Sequence, residues 1–142
     1  MTANKMYLNI TDTPDKDEEN FVIQSLWKHN EQYDAVDIHP LFLNIKNAAG
    51  HIVAGLVART WWSALEIQYL WVSEAHRKTG LGGQLMKQAE EAALKRGCHL
   101  AYVDTFSFQA RGFYQKLGYR EYGSLPGYAH RHTRHYLSKA IG

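Results

Sequence analysis

Between Leu65 and Phe106 the chain reads strand, glycine-rich loop, helix, strand, and this unit constrains the fold more than any other stretch. "LEIQYLWV" (65–72) is strand-like and runs on into "RKTGLGGQL" (77–85), with three glycines in four positions. Leu81, Leu85, Ala89 and Ala92 then recur at helical spacing. Glu91 and Lys95 form a favourable pair one turn apart, and Lys95, Arg96 and Gly97 close the helix. "HLAYVDTF" (99–106) is the next strand. Such a unit implies a mixed α/β chain.

The flanks extend the pattern. "MYLNIT" (6–11) alternates as a short strand does. A helix follows, capped by Thr13 or Asp15, with acids in its first turn and Phe21, Val22, Leu26 and Trp27 on one side. Residues 40–47 and 52–62 read as a hairpin across "NAAGH". Ala110, Phe113, Tyr114 and Leu117 form a short helix ended by Gly118. "YREYGSL" and "HRHTRHYLSKA" are two final strands around the turn "PGYA". The expected order is β-α-β-β-β-α-β-α-β-β, an α/β mixed sheet, in one domain spanning residues 1–142.

Composition excludes several classes. The chain is 45% apolar, 21% charged and rich in Trp, Tyr and Phe, which argues against disorder. No apolar run approaches the ~18 residues of a membrane span, and no signal peptide is read at the start. Cys98 is the only cysteine, so no internal disulfide forms. These features favour the cytoplasm. A net charge of +2 gives no footprint for nucleic acid. Acids cluster between Asp12 and Glu19 and basic residues in the last third, as two solvated faces or as complements to a cationic acceptor and an anionic cofactor.

Glycine inside a helix costs about 0.8–1.0 kcal/mol relative to alanine, so three at a helix start need a reason. Unpaired N–H groups and a partial positive charge at that terminus attract anions, and glycines allow close approach. Arg77 and Lys78 add charge. The loop is therefore a candidate phosphate or pyrophosphate cradle. No Walker A string is present, and Leu85 stands where a dinucleotide fingerprint needs its third glycine.

Arg77-Lys78-Thr79-Gly80-Leu81-Gly82 resembles the Q/R-x-x-G-x-G/A motif of the GNAT superfamily of acyl-CoA-dependent N-acetyltransferases. "AYVDTFSFQARGFYQKLGYREYG" resembles the second signature of that family, an alanine four residues before a tyrosine followed by K-L-G-Y/F. The two segments cover about residues 65–123. The resemblance implies a GNAT-like fold with a splayed central sheet. Arg77, Lys78, Thr79, Gly80, Leu81, Gly82 and Gly83 would hold the pyrophosphate of acetyl-CoA. Backbone N–H groups at Leu70, Trp71 and Val72 would bind pantetheine and polarise the thioester carbonyl. Tyr114 matches the tyrosine that serves as general acid, or as hydrogen-bond donor to the leaving thiolate, and also contacts cofactor. Ser107 stands where many members have a cofactor-binding asparagine.

For the base, Glu66 is the first candidate, with Asp104 or a water chain as alternatives. By strand alternation Glu66, Gln68 and Leu70 share a face. His130 and His132 would share a face of the last strand, with His135 opposite. Two histidines fall short of the three protein ligands that zinc needs, and no metal site is expected. Trp71 is expected in the core, and the Trp61-Trp62 pair partly exposed. Cys98 has no evident histidine partner and is not nominated as nucleophile.

The expected activity is direct acetyl transfer to a primary amine, of a small molecule or of a peptide or protein, in a ternary complex. A homodimer is reasonable on the resemblance. The alternatives are another acyl-CoA donor or a catalytically silent acyl-CoA-binding module.

Overall fold

The computed structural model describes residues 4–142, and the chain divides after Val36 into two compact units. The first holds α1 (Lys16–Asn30). Asp15 is its cap, accepting the Glu18 N–H at 3.0 Å, and Asp17, Glu18 and Glu19 complement the helix dipole in the first turn. No residue of α1 is buried. Residues 6–11, expected as a strand, form none. Alternation is local, whereas a strand exists only when a neighbour takes up its hydrogen bonds.

The second unit runs β1 (Ile38–Lys46), β2 (Ile52–Trp61), β3 (Ala64–Val72), α2 (Leu81–Lys95), β4 (Leu100–Phe106), α3 (Arg111–Lys116), β5 (Arg120–Tyr128) and β6 (His132–Ala140). The sheet order is β1-β2-β3-β4-β6-β5. All neighbours are antiparallel except β3 and β4, the pair that α2 connects. The expected element order therefore appears with the first strand removed.

Connections follow their chemistry. Asn47 Oδ1 accepts the N–H groups of Ala49 and His51 at 3.0 Å each, and Gly50 takes φ +84°. Trp62 and Ser63, both left-handed, make a two-residue hairpin turn between β2 and β3. The last turn is not at Pro126–Ala129 as expected. β5 continues through Tyr128, and the chain reverses at 129–131 with Ala129 and His130 left-handed. His130 thus leaves the strand face it was expected to share with His132.

The register departs once from simple alternation in β3. Val57 pairs with Tyr69 and Ala58 with Ile67, so Gln68 is the extra residue of a β-bulge. A one-residue insertion inverts the faces beyond it. Leu65 and Ile67 are buried before the bulge, and Leu70 and Val72 pack on the same core after it. Leu70 therefore does not share a face with Glu66. Trp71, expected in the core, is 50% exposed for the same reason.

α2 packs on β1–β3 and buries Leu85, Met86, Ala89 and Ala93 against Leu56, Leu65 and Ile67. Glu90 of α2 accepts hydrogen bonds from the Tyr119 hydroxyl and Lys139 Nζ, both at 2.8 Å. That ties the helix to Tyr119, just before β5, and to Lys139 of β6.

Candidate active site

β3 and β4 hydrogen-bond only at their beginnings, from Ala64–Leu100 to Ile67–Val103. Beyond that point β3 continues for five residues and β4 for three, with no pairing between them. The strands part where Gln68 bulges, since a bulge sharpens twist and bends its strand. On the open edge of β3, alternate N–H and C=O groups between Gln68 and Val72 have no strand partner. Leu70, Trp71 and Val72 pair with β2 on the other edge only.

A cavity of about 280 Å³ occupies the gap, lined among others by Gln68, Leu70, Asp104, Ala110 and Tyr114. Tyr114 reaches it from the first turn of α3. Thr105 Oγ1 accepts the Ala110 N–H at 3.3 Å, and Gln109 Oε1 accepts the Phe106 N–H at 2.8 Å. These bonds fix the tight turn from β4 into α3. The Tyr114 ring is 6% exposed and meets Phe113 and Tyr119 edge-on. No described residue hydrogen-bonds its hydroxyl, and that oxygen is not among sealed, unpartnered polar atoms. It is a donor facing open space.

Burial, helped by the negative charge of Asp104, pushes the Tyr114 phenol up to about 12. The sign of its effect on stability follows. The unfolded phenol titrates near 10, so stability is full below that pH and falls as pH rises towards 12. The loss expected from Tyr114 is roughly 2–3 kcal/mol. Urea unfolding at pH 9 and pH 11.5 should show it, and Tyr114→Phe should make the loss smaller. An equal loss in the variant would remove Tyr114 as the cause.

The glycine loop sits at the end of β3. Arg77 Nε donates to the Val72 carbonyl at 3.1 Å, and Thr79 donates its hydroxyl hydrogen bond to the His76 carbonyl. Gly80 caps α2 with φ +86°, a left-handed backbone that glycine adopts freely. No side chain caps α2, and its first turn holds no acid. The N–H groups of Leu81, Gly82 and Gly83 thus have neither an intrahelical acceptor nor a side-chain substitute. The three glycines differ in purpose. A Cβ on Gly82 would stand 3.2 Å from Phe113 Cζ, so that glycine lets α3 approach α2. A Cβ on Gly83 would meet nothing within 4 Å. Among the described residues nothing packs where a side chain at 83 would stand.

The other expected site residues are placed as follows. Glu66 lies on the face of β3 away from α2, ion-paired to Arg59 Nε, and does not line the cavity. Arg59 also lies over the Trp61 ring at 4.8 Å. Asp104 does line the cavity, with both oxygens held by Arg134, at 3.0 Å from Nε and 2.9 Å from Nη2. Ser107 Oγ accepts the Thr133 N–H at 3.3 Å and ties the loop after β4 to β6. His135 is buried and paired with Glu121 at 2.7 Å. Burial pushes the Cys98 thiol up, away from the thiolate a nucleophile needs. Among the described residues, no three His, Cys, Asp or Glu side chains gather as metal ligands. None of the described helices is long and apolar enough to cross a membrane. Sequence reasoning missed Thr105 and Gln109 as supports of Tyr114, Arg134 as partner of Asp104, and Phe113 as the reason for Gly82. None of these carries a local sequence signal.

Residues 6–119 match the model of the acetyltransferase (GNAT) family. The chain belongs to that family. It is an acyltransferase. The chain is 41% identical over 93 residues to a blasticidin-S acetyltransferase of Streptomyces morookaense, covering 65% of this chain and 68% of that one. It is 34% identical over 117 residues to the acetyltransferase Atu2258 of Agrobacterium fabrum, covering 82% and 85%. A crystal structure of an Agrobacterium tumefaciens protein assigned as an acetyltransferase superposes with a TM-score of 0.89 at 32% identity, covering 95% of this chain and 99% of that one.

Proposed function

We propose that this GNAT acetyltransferase, read as one catalytic domain over residues 1–142, transfers the acetyl group of acetyl-CoA to a primary amine within a ternary complex. The carrying observation is the gap between β3 and β4, with the uncapped start of α2 beyond the end of β3 and the Tyr114 hydroxyl facing into it. Pyrophosphate binds the N–H groups of Leu81, Gly82 and Gly83, with Arg77, Lys78 and Thr79 around it. Pantetheine lies along the open edge of β3, whose N–H groups polarise the thioester carbonyl. The amine nitrogen attacks the carbonyl carbon, the tetrahedral oxyanion rests on those N–H groups, the nitrogen gives its remaining extra proton to solvent, and the C–S bond breaks. Tyr114 donates a hydrogen bond to the departing thiolate. Full proton transfer from a phenol near 12 to a thiolate near 8.5 would be uphill by about 5 kcal/mol, so the thiolate takes its proton from solvent.

An alkylamine must first lose a proton, at about 4.6 kcal/mol for a pKa near 10.4 at pH 7. Glu66 takes it through water, since its carboxylate stands outside the cavity. Glu66→Gln is then expected to lower kcat/KM about 100-fold at pH 7 and much less at pH 9.5. A larger loss in Asp104→Asn than in Glu66→Gln would move that role to Asp104. The acceptor is a small amine. Blasticidin S is the first to test, because of the relative that acetylates it. Acetyl-CoA-dependent release of free thiol, with the acetylated amine identified by mass spectrometry, tests the whole reading. Binding of acetyl-CoA without product across an amine panel would reduce the chain to a silent binding module. The homodimer is part of the same reading.

A further inference from the structure

The last paired residues of β3 and β4 are Ile67 and Val103. Gln68 and Asp104 therefore flank the inner end of the gap, and both line the cavity. Much of the hydrogen-bonding capacity around them is already taken. Asp104 gives both oxygens to Arg134. Gln109 Oε1 accepts from the Thr105 hydroxyl at 3.2 Å and from the Phe106 N–H, and Thr105 Oγ1 takes the Ala110 N–H. The Gln68 carboxamide differs, since no described residue hydrogen-bonds it. Gln68 is also the extra residue of the bulge, and a bulge beside a site re-aims a side chain. A carboxamide carries an acceptor oxygen and two N–H donors side by side. Among the described residues nothing uses either.

We propose that Gln68 selects the acetyl acceptor, and that the acceptor is a primary amine with a hydroxyl or carbonyl oxygen on the carbon next to the amine-bearing one. Amino alcohols and α-amino amides have this form. The inference rests on the acetyl transfer proposed above. Pantetheine that follows the open edge of β3 brings the thioester to the inner end of the gap, where Gln68 stands. Gln68 Oε1 accepts one N–H of the neutral amine and leaves the nitrogen lone pair free for the carbonyl carbon. Gln68 Nε2 donates to the neighbouring oxygen of the acceptor. The two hydrogen bonds close one ring, which fixes the direction from which the nitrogen attacks. An alkylamine of the same size fills the space but leaves Nε2 without an acceptor. A site built to hydrogen-bond its substrate turns that loss into discrimination.

Steady-state kinetics of the full chain with matched amines test the proposal. The pairs are 2-aminoethanol against propylamine and glycinamide against isobutylamine, with rates expressed per neutral amine. The wild type should favour the oxygen-bearing member of each pair at least about tenfold in kcat/KM. Gln68→Leu, which nearly keeps the volume, and Gln68→Ala should each lower kcat/KM for the oxygen-bearing amines about 10- to 100-fold. For the alkylamines the change should stay within about threefold, and the KM for acetyl-CoA within about twofold. A side chain that merely shaped the bulge would depress both members of a pair alike. A wild type indifferent to the oxygen, a preference that survives in Gln68→Leu, or a loss shared by the alkylamines would each overturn the assignment and leave the proposed reaction standing. Acetyl-CoA bound by the wild type with no product from any of the four amines would overturn both.

Discussion

Gly83→Asp is expected to fold as the wild type does and to bind acetyl-CoA at least about 100-fold more weakly. The new side chain meets no atom within 4 Å of its Cβ, so packing does not oppose it. Replacing a glycine removes a helix penalty, and an acid in the first turn of α2 gains about 0.3–1 kcal/mol from the helix dipole. Thermal unfolding should therefore shift upward or stay. Binding moves the other way, because the carboxylate occupies the N–H groups that the pyrophosphate needs and repels its charge. Two like charges about 4 Å apart near a protein surface cost up to about 4 kcal/mol, and half of that is a loss of about 30-fold. Loss of the N–H contacts adds to it. Calorimetric titration with acetyl-CoA, beside a melting curve, reads both signs at once. Undiminished affinity would show that the start of α2 is not where the anion sits. A destabilised protein would show that the space around Gly83 is filled.

Tyr114→Phe is expected to lower kcat about 10- to 100-fold while leaving acetyl-CoA affinity within about twofold. The hydroxyl makes no hydrogen bond to any described residue, so its removal leaves no buried group unpaired. The ring contacts with Phe113 and Tyr119 persist. What is lost is a hydrogen bond to a thiolate that exists only as the C–S bond breaks, and a charge-assisted bond of this kind is worth about 1.5–3 kcal/mol. With its phenol held near 12, Tyr114 stays neutral throughout the working range. The loss should accordingly be the same at pH 6.5 and pH 9, as the steady-state rates at both values will show. A loss that disappears at either pH would require Tyr114 to titrate there. No loss at all would remove it from the reaction and leave it as a core residue of α3.

Much of the molecule was legible along the chain because its signals are local. The Gly80 turn, the run of uncapped N–H groups after it, the caps at Asp15, Gly97 and Gly118 and the periodicity of α2 each depend on a few consecutive residues. They fix the order of elements and an uncapped helix start whatever lies elsewhere. The two faces of β3 were not legible. The bulge at Gln68 depends on how β3 registers against β2, and a single extra residue moved Leu70 inward and Trp71 outward. The reason for Gly82 was hidden too, since Phe113 lies 31 positions along the chain and meets it only when α3 packs on α2. The partners of the two candidate bases were not legible either, since Arg59 meets Glu66 from β2 and Arg134 meets Asp104 from β6. The sequence by itself determined the left-handed turn at Gly80 and the uncapped N–H groups that follow it, because backbone conformation follows from neighbouring residues. The tertiary structure alone decided where β3 and β4 part, which side chains enter the gap and which carboxylates are already paired, because pairing and register are contacts between distant parts of the chain.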